Sequence, residues 1–119
     1  MMKPLRVLLI DDEIEFVTTL AERLSLRGLS VRTALNAEEA LRQIDDEQPD
    51  AMVLDVRMPD VGGLVLLQQI RNQYPHIRVL LLSAHSSIRD GIEAMRLGAV
   101  DYLTKPVHID ELIQKISIS

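Results

Sequence analysis

The apolar run at residues 8–10 gives way at once to Asp11, Asp12 and Glu13, and the run at 52–54 ends on a single carboxylate, Asp55. Two other apolar runs end on polar groups: "LLLS" on the Ser83 hydroxyl, and "DYLTKP" on Lys105. Carboxylates brought together repel one another unless a hard divalent cation lies among them. A few oxygen ligands open to water suit Mg²⁺ better than a caged Ca²⁺. A hydroxyl can donate to an anion, and an ammonium group adds a compact positive charge. Such a set suits phosphoryl transfer, where catalysis is mostly positioning and charge neutralisation. Asp55 is the candidate nucleophile, forming an aspartyl phosphate. Nothing in the sequence supplies a second base that would hydrolyse it quickly.

The elements that carry these groups alternate regularly. Residues 5–10, 30–34, 51–54, 78–82 and 100–103 read as strands. The first, third and fourth are nearly continuous in Val, Leu, Ile and Met, as parallel strands covered on both faces should be. "SVRTA" alternates more and is placed at a sheet edge. Phe16, Val17, Leu20 and Leu24 share one helical face, and Gly28 follows as a C-terminal stop. Asn36 with Glu39 three residues on forms a capping-box arrangement. A third helix runs from Gly63 towards Tyr74-Pro75, a fourth carries Ile88, Ile92 and Met95, and Ile109, Leu112, Ile113 and Ile116 stripe a fifth. Five strands alternating with five helices give an α/β fold: a three-layer, doubly wound, flavodoxin-like parallel sheet of order 2-1-3-4-5. Ligands of such sheets sit beyond the carboxyl ends of the strands, where the order reverses, here between strands 1 and 3. That is where Asp11, Asp12, Glu13 and Asp55 fall.

The chain of 119 residues reads as one domain, 1–119, with no internal repeat or linker. Hydrophobic residues make up 47% and charged residues 26%, which excludes a disordered chain. A net charge of -5 argues against direct nucleic-acid binding. The absence of cysteine excludes disulfides and thiolate metal sites. No signal peptide or membrane span is present, so a cytoplasmic location is expected.

Taken together in order, "LLIDDE", "MVLDVRMPDVGGL", "LLSAH", "EAMRLGAVDYLTKP" and "IDELI" resemble the receiver domain of two-component response regulators. The resemblance implies that Asp55 is the phosphoacceptor and Asp12 a direct Mg²⁺ ligand, beside Asp55 and the backbone carbonyl of Arg57. Asp11 would act through metal-bound water. Ser83 would be the switch hydroxyl, Lys105 the lysine that pairs with the phosphoryl group and Tyr102 the switch aromatic. Lys105-Pro106 would be a cis peptide. Met58-Pro59 and Gly62-Gly63 would form the turn after the acceptor, with glycine admitting backbone angles that other residues resist. His108 stands where the family often has Asp or Ser at the last helix's N-cap. Gly91 lies inside the fourth helix, at a cost of about 1 kcal/mol relative to Ala. The implied partners are a sensor histidine kinase or phosphotransfer protein, and an output domain or downstream protein reached through helix 4, strand 5 and helix 5. A phosphorylation-dependent homodimer is compatible with it. The domain would be no enzyme in the ordinary sense, catalysing only its own phosphorylation and dephosphorylation. The ending "KISIS" leans towards a receiver cut from a larger regulator or hybrid kinase.

Each residue also has a plainer reading. Asp11 and Asp12 suit a helix N-terminus in any case, Ser83 alone is a strand-end residue, Lys105 a solvated lysine and Tyr102 a half-buried core ring. Arg57 and His85 are expected to flank the phosphoryl group and to tune its lifetime through water access, whereas His76 and His108 have no evident role. The charges of the fourth helix read first as a solvated face. Three rival functions remain. A Mg²⁺-dependent aspartyl phosphohydrolase would want a second acid two residues after Asp55, where Arg57 stands. A flavin or nucleotide module would want a glycine-rich or Ser/Thr-rich loop after the first strand, where "DDE" repels phosphate. A pseudo-receiver would not need the complete acidic set.

Overall fold

A computed structural model of the protein describes residues 3–58, 60–84 and 88–117. The elements run β1 (Arg6–Ile10), α1 (Ile14–Leu26), β2 (Ser30–Ala34), α2 (Ala37–Asp46), β3 (Ala51–Asp55), α3 (Gly63–Gln73), β4 (Arg78–Ser83), α4 (Ile88–Arg96), β5 (Asp101–Thr104) and α5 (Ile109–Ser117). The strands form one parallel sheet of order β2-β1-β3-β4-β5. This is the doubly wound architecture expected from the alternation, with "SVRTA" at the edge. No helix among the described residues is long and apolar enough to cross a membrane.

The pleat sorts the strand residues into two cores. Leu8, Ile10, Met52, Leu54, Val79 and Leu81 face α2, α3 and α4. Val7, Leu9, Ala51, Val53, Leu80 and Leu82 face α1 and α5. Successive side chains of a strand point to opposite faces, which is why β3, buried along its length, contributes to both layers. Each fully buried Leu, Ile or Met contributes about 1.5–3 kcal/mol of transfer free energy.

Local signals set the helix ends. Asn36 accepts a hydrogen bond from the Glu39 N–H at 2.8 Å, capping α2. Gly28, beyond α1, adopts a φ of 91°, the left-handed conformation of a C-terminal stop. The expectation for Gly62-Gly63 needs correction, because positive φ among the described residues occurs only at Gly28 and Gly98. What Gly63 provides is space. A Cβ there would run into the Asp55 carbonyl oxygen and stand 2.7 Å from the Val56 Cα. The Gly63 N–H donates to the Val56 carbonyl at 2.8 Å, so α3 starts pressed against the end of β3.

Helix α4 is seated unlike the others. Its buried residue is Ala94, while Ile88, Ile92 and Met95 are exposed at 83%, 64% and 50%. The stripe at helical spacing therefore faces outwards, because α4 packs on the sheet through a small residue. Gly91 lies over Tyr102, with the site of a Cβ 3.5 Å from the ring's Cδ1.

Candidate phosphoacceptor and metal site

Strand register brings the candidate residues to one end of the sheet. Ile10 pairs with Leu54, so Asp11 and Asp55 both follow directly on a paired row. Asp55 pairs with Leu82, and Ser83 with Thr104, the residue before Lys105. Among the described residues, Asp11, Asp55 and Ser83 are the buried polar ones, at 3%, 7% and 2% exposure. One carboxylate oxygen from each of Asp11, Asp12 and Asp55 lies within 4.8 Å of the others, a separation a single cation can span.

Pleat parity divides the set. Asp11 continues the series of Val7 and Leu9, and Asp55 that of Ala51 and Val53, so both side chains belong to the α1 and α5 face. Ser83 continues the series of Val79 and Leu81 and belongs to the opposite face, as does Tyr102. Asp11 and Asp55 thus share one side of the strand tips, and the hydroxyl and the aromatic ring share the side that carries α4.

Lys105 reaches the acids from β5. Its N–H donates to the Ser83 carbonyl at 2.8 Å, and the Lys105-Pro106 bond is cis. The ammonium lies 2.7 Å from Asp11 Oδ2, 2.7 Å from Glu13 Oε1 and 3.8 Å from Asp55 Oδ2. It also sits 4.3 Å from the centroid of the Phe16 ring, within cation–π range. Its place in "DDE" groups Glu13 with the acids, but its side chain serves the lysine rather than the three-acid cluster. The contact spans 92 residues of sequence, and no local signal could have announced it.

The electrostatics follow from this packing. Burial raises the Asp55 pKa above the usual carboxylate range. The hydrogen bond from the Arg57 N–H, at 3.2 Å to Oδ1, opposes that rise; Asp11 adds to it, Lys105 opposes it, and Asp12 adds again. Burial works against the charge of Lys105, but its hydrogen bonds to Asp11 and Glu13 prevail, and its pKa is raised. Beneath the acids lies a void of about 10 Å³, bounded by Phe16, Val17, Leu20, Val53 and Leu82. An apolar floor of this kind strengthens every charge interaction above it.

Arg57 is exposed, with its N–H committed to Asp55. His85 and Pro59 lie outside the described residues. Asp60 is a residue that the sequence did not single out. Its two carboxylate oxygens accept from the N–H groups of Ala37 and Glu38, both at 3.1 Å, and thereby fasten the β3–α3 loop to the first turn of α2. Its acidic type in a turn was visible in the sequence, but its partners 22 and 23 residues away were not.

The sequence model described as the response regulator receiver domain matches residues 7–117. The DNA-binding transcriptional regulator NtrC of Proteus hauseri is 37% identical over 110 residues, covering 92% of this chain and 23% of that protein. The chain spans between about a quarter and a half of the length of the curated relatives it matches. Among solved structures, the receiver domain of NtrX from Brucella abortus superposes with a TM-score of 0.87 at 34% identity, covering 95% of this chain and 99% of that one. A response regulator from Burkholderia pseudomallei, crystallised with a phosphorylated aspartic acid and a calcium ion, superposes with a TM-score of 0.89 at 32% identity, covering 95% of this chain and 66% of that one. Fold, strand order, acid cluster and family match agree, and they do not favour the phosphohydrolase: this chain belongs to the receiver domain family of two-component response regulators.

Proposed function

We propose that Asp55 accepts a phosphoryl group from the phosphohistidine of a sensor kinase or phosphotransfer protein. The observation that carries this reading is the convergence of Asp11, Asp12 and Asp55 within 4.8 Å beside an ammonium 3.8 Å from Asp55. A carboxylate oxygen of Asp55 attacks phosphorus. The P–N bond breaks, and its electron pair returns to the imidazole, which takes up a proton.

The three carboxylates fit a hard cation: their oxygens are close, their like charges need offsetting, and Asp12 is exposed to water. Asp12, Asp55 and the Arg57 carbonyl would hold Mg²⁺ directly and Asp11 through water. The ion supplies neutralisation of the phosphoryl charge when bound. The residues of the chain do the rest. The Arg57 N–H orients Asp55, and Lys105 balances charge from the β5 side. Ser83 offers a hydroxyl from the α4 face of the sheet, and its inward movement leaves space into which Tyr102 can turn. Repacking of α4, β5 and α5 then reaches a partner or an output domain, and the exposed Ile88, Ile92 and Met95 stripe is the apolar part of that surface. Such a switch is a population shift biased by local charge. Arg57 and His85 tune the lifetime of the acyl phosphate.

The test is phosphorylation of the chain by acetyl phosphate with and without Mg²⁺. Wild type should gain an alkali-labile, hydroxylamine-labile phosphoryl group only with the metal, and Asp55→Asn should gain none. Labelling of Asp55→Asn equal to wild type would overturn the assignment. Loss of labelling in Arg57→Ala decay assays is not expected; a changed rate of decay is.

A further inference from the structure

Two carboxylates grip Lys105, and one of them has no place in the acid cluster. Glu13 occupies the N-cap of α1, yet its side chain makes no capping hydrogen bond. The shorter side chains of Ser, Thr, Asp and Asn are the ones that cap a helix this way, and glutamate is free to reach elsewhere. The Glu13 carboxylate instead accepts a hydrogen bond from Lys105 Nζ at 2.7 Å. Its backbone N–H meanwhile donates to Asp11 Oδ1 at 2.9 Å, and Asp11 Oδ2 lies 2.7 Å from the same ammonium. A single residue thus fixes both the lysine and the lysine's other carboxylate. Asp55, at 3.8 Å, is left beyond hydrogen-bond distance.

We infer that Glu13 is a positioning residue that restrains Lys105 and offsets its charge in the resting protein, so that an anion on Asp55 must draw the ammonium out of the Glu13 contact. This rests on the reading of Asp55 as phosphoacceptor. Asp11 holds the same ammonium at 2.7 Å but also belongs to the three-acid cluster, so a change there would alter both roles at once. Glu13 stands outside that site, and its only described polar side-chain contact is the lysine. The Glu13 side chain is 60% exposed, so water screens the pair and its strength is that of a surface ion pair. Removing the charge should therefore change anion affinity modestly, by about two- to fivefold.

The experiment uses beryllofluoride as the anion, at saturating Mg²⁺, with binding to the full chain followed by fluorine NMR and Mg²⁺ affinity measured separately for each variant. Glu13→Gln should bind beryllofluoride about two- to fivefold more tightly than wild type at low salt. In about 1 M KCl, where the screening length falls to about 3 Å, that gain should vanish. Glu15→Gln removes another exposed acid from the same first turn and should change nothing. Unchanged or weaker binding in Glu13→Gln, an equal gain in Glu15→Gln, or a gain that survives high salt would each overturn the inference. If wild type forms no complex at all, the failure lies instead with Asp55 as acceptor.

Discussion

Gly63 is pressed against the main chain of Asp55: a side chain at position 63 would run into the Asp55 carbonyl oxygen and meet the Val56 Cα at 2.7 Å. Both atoms are backbone, one in the last residue of the sheet's central strand and one in the residue after it, so neither can swing aside. Gly63→Ala should therefore destabilise the fold by about 1–3 kcal/mol, as overpacking does, and should slow labelling of Asp55 by acetyl phosphate. Gly62→Ala is the control, because nothing lies within 4 Å of a Cβ there. Urea denaturation of the two variants should separate them clearly; equal midpoints would refute the packing argument.

Asp55→Asn should stabilise the metal-free protein at neutral pH while removing the proposed phosphoacceptor. Burial, opposed by the Arg57 N–H, raises the Asp55 pKa. A carboxyl with a raised folded pKa contributes stability that is complete below its unfolded value, about 3.9, and is lost as pH rises through the folded value. Asn carries no charge and escapes that loss. The stability difference between variant and wild type, measured in a chelator, should thus be small near pH 3 and grow towards pH 7. A difference independent of pH would contradict it.

Asp60 should show the opposite pH dependence. Slight burial raises its pKa, but the N–H groups of Ala37, Val61 and Glu38 prevail and lower it. Its contribution is therefore present above about pH 3.9 and disappears as pH falls through the lower folded value. Asp60→Ala removes two acceptors from the start of α2 and should cost about 1 kcal/mol at pH 7. The cost should shrink in acid. Thermal melts at pH 7 and pH 2.5 would decide.

Gly91→Ala should stabilise α4. Alanine is favoured over glycine in a helix by about 1 kcal/mol, and its methyl would sit 3.5 Å from Tyr102 Cδ1, an ordinary contact. We expect amide exchange in wild-type α4 to be faster than in α1, and to slow in the variant. Exchange in α4 as slow as in α1 would show that glycine does not lower the cost of rearranging that helix.

Strand order, and the meeting of Asp11 and Asp55 at one end of the sheet, were legible because each buried strand is a continuous apolar run that stops on a polar residue, as at Asp55 and Ser83. The strands extend through those two residues, one step further than the hydrophobic pattern alone suggests. Relations that depend on distance in three dimensions were not legible. Glycine at 63 looks like a turn residue until the Asp55 carbonyl is placed beside it. Ile88, Ile92 and Met95 have the spacing of a core face, and spacing is the same whichever way the helix is turned. Asp60 and Glu13 are acids whose partners lie far along the chain, so only the folded arrangement distinguishes them from solvated charges.

The division of the strand tips carries through to the helices beside them: α1 lies over one layer and α4 over the other, so their outer surfaces are on opposite sides of the sheet.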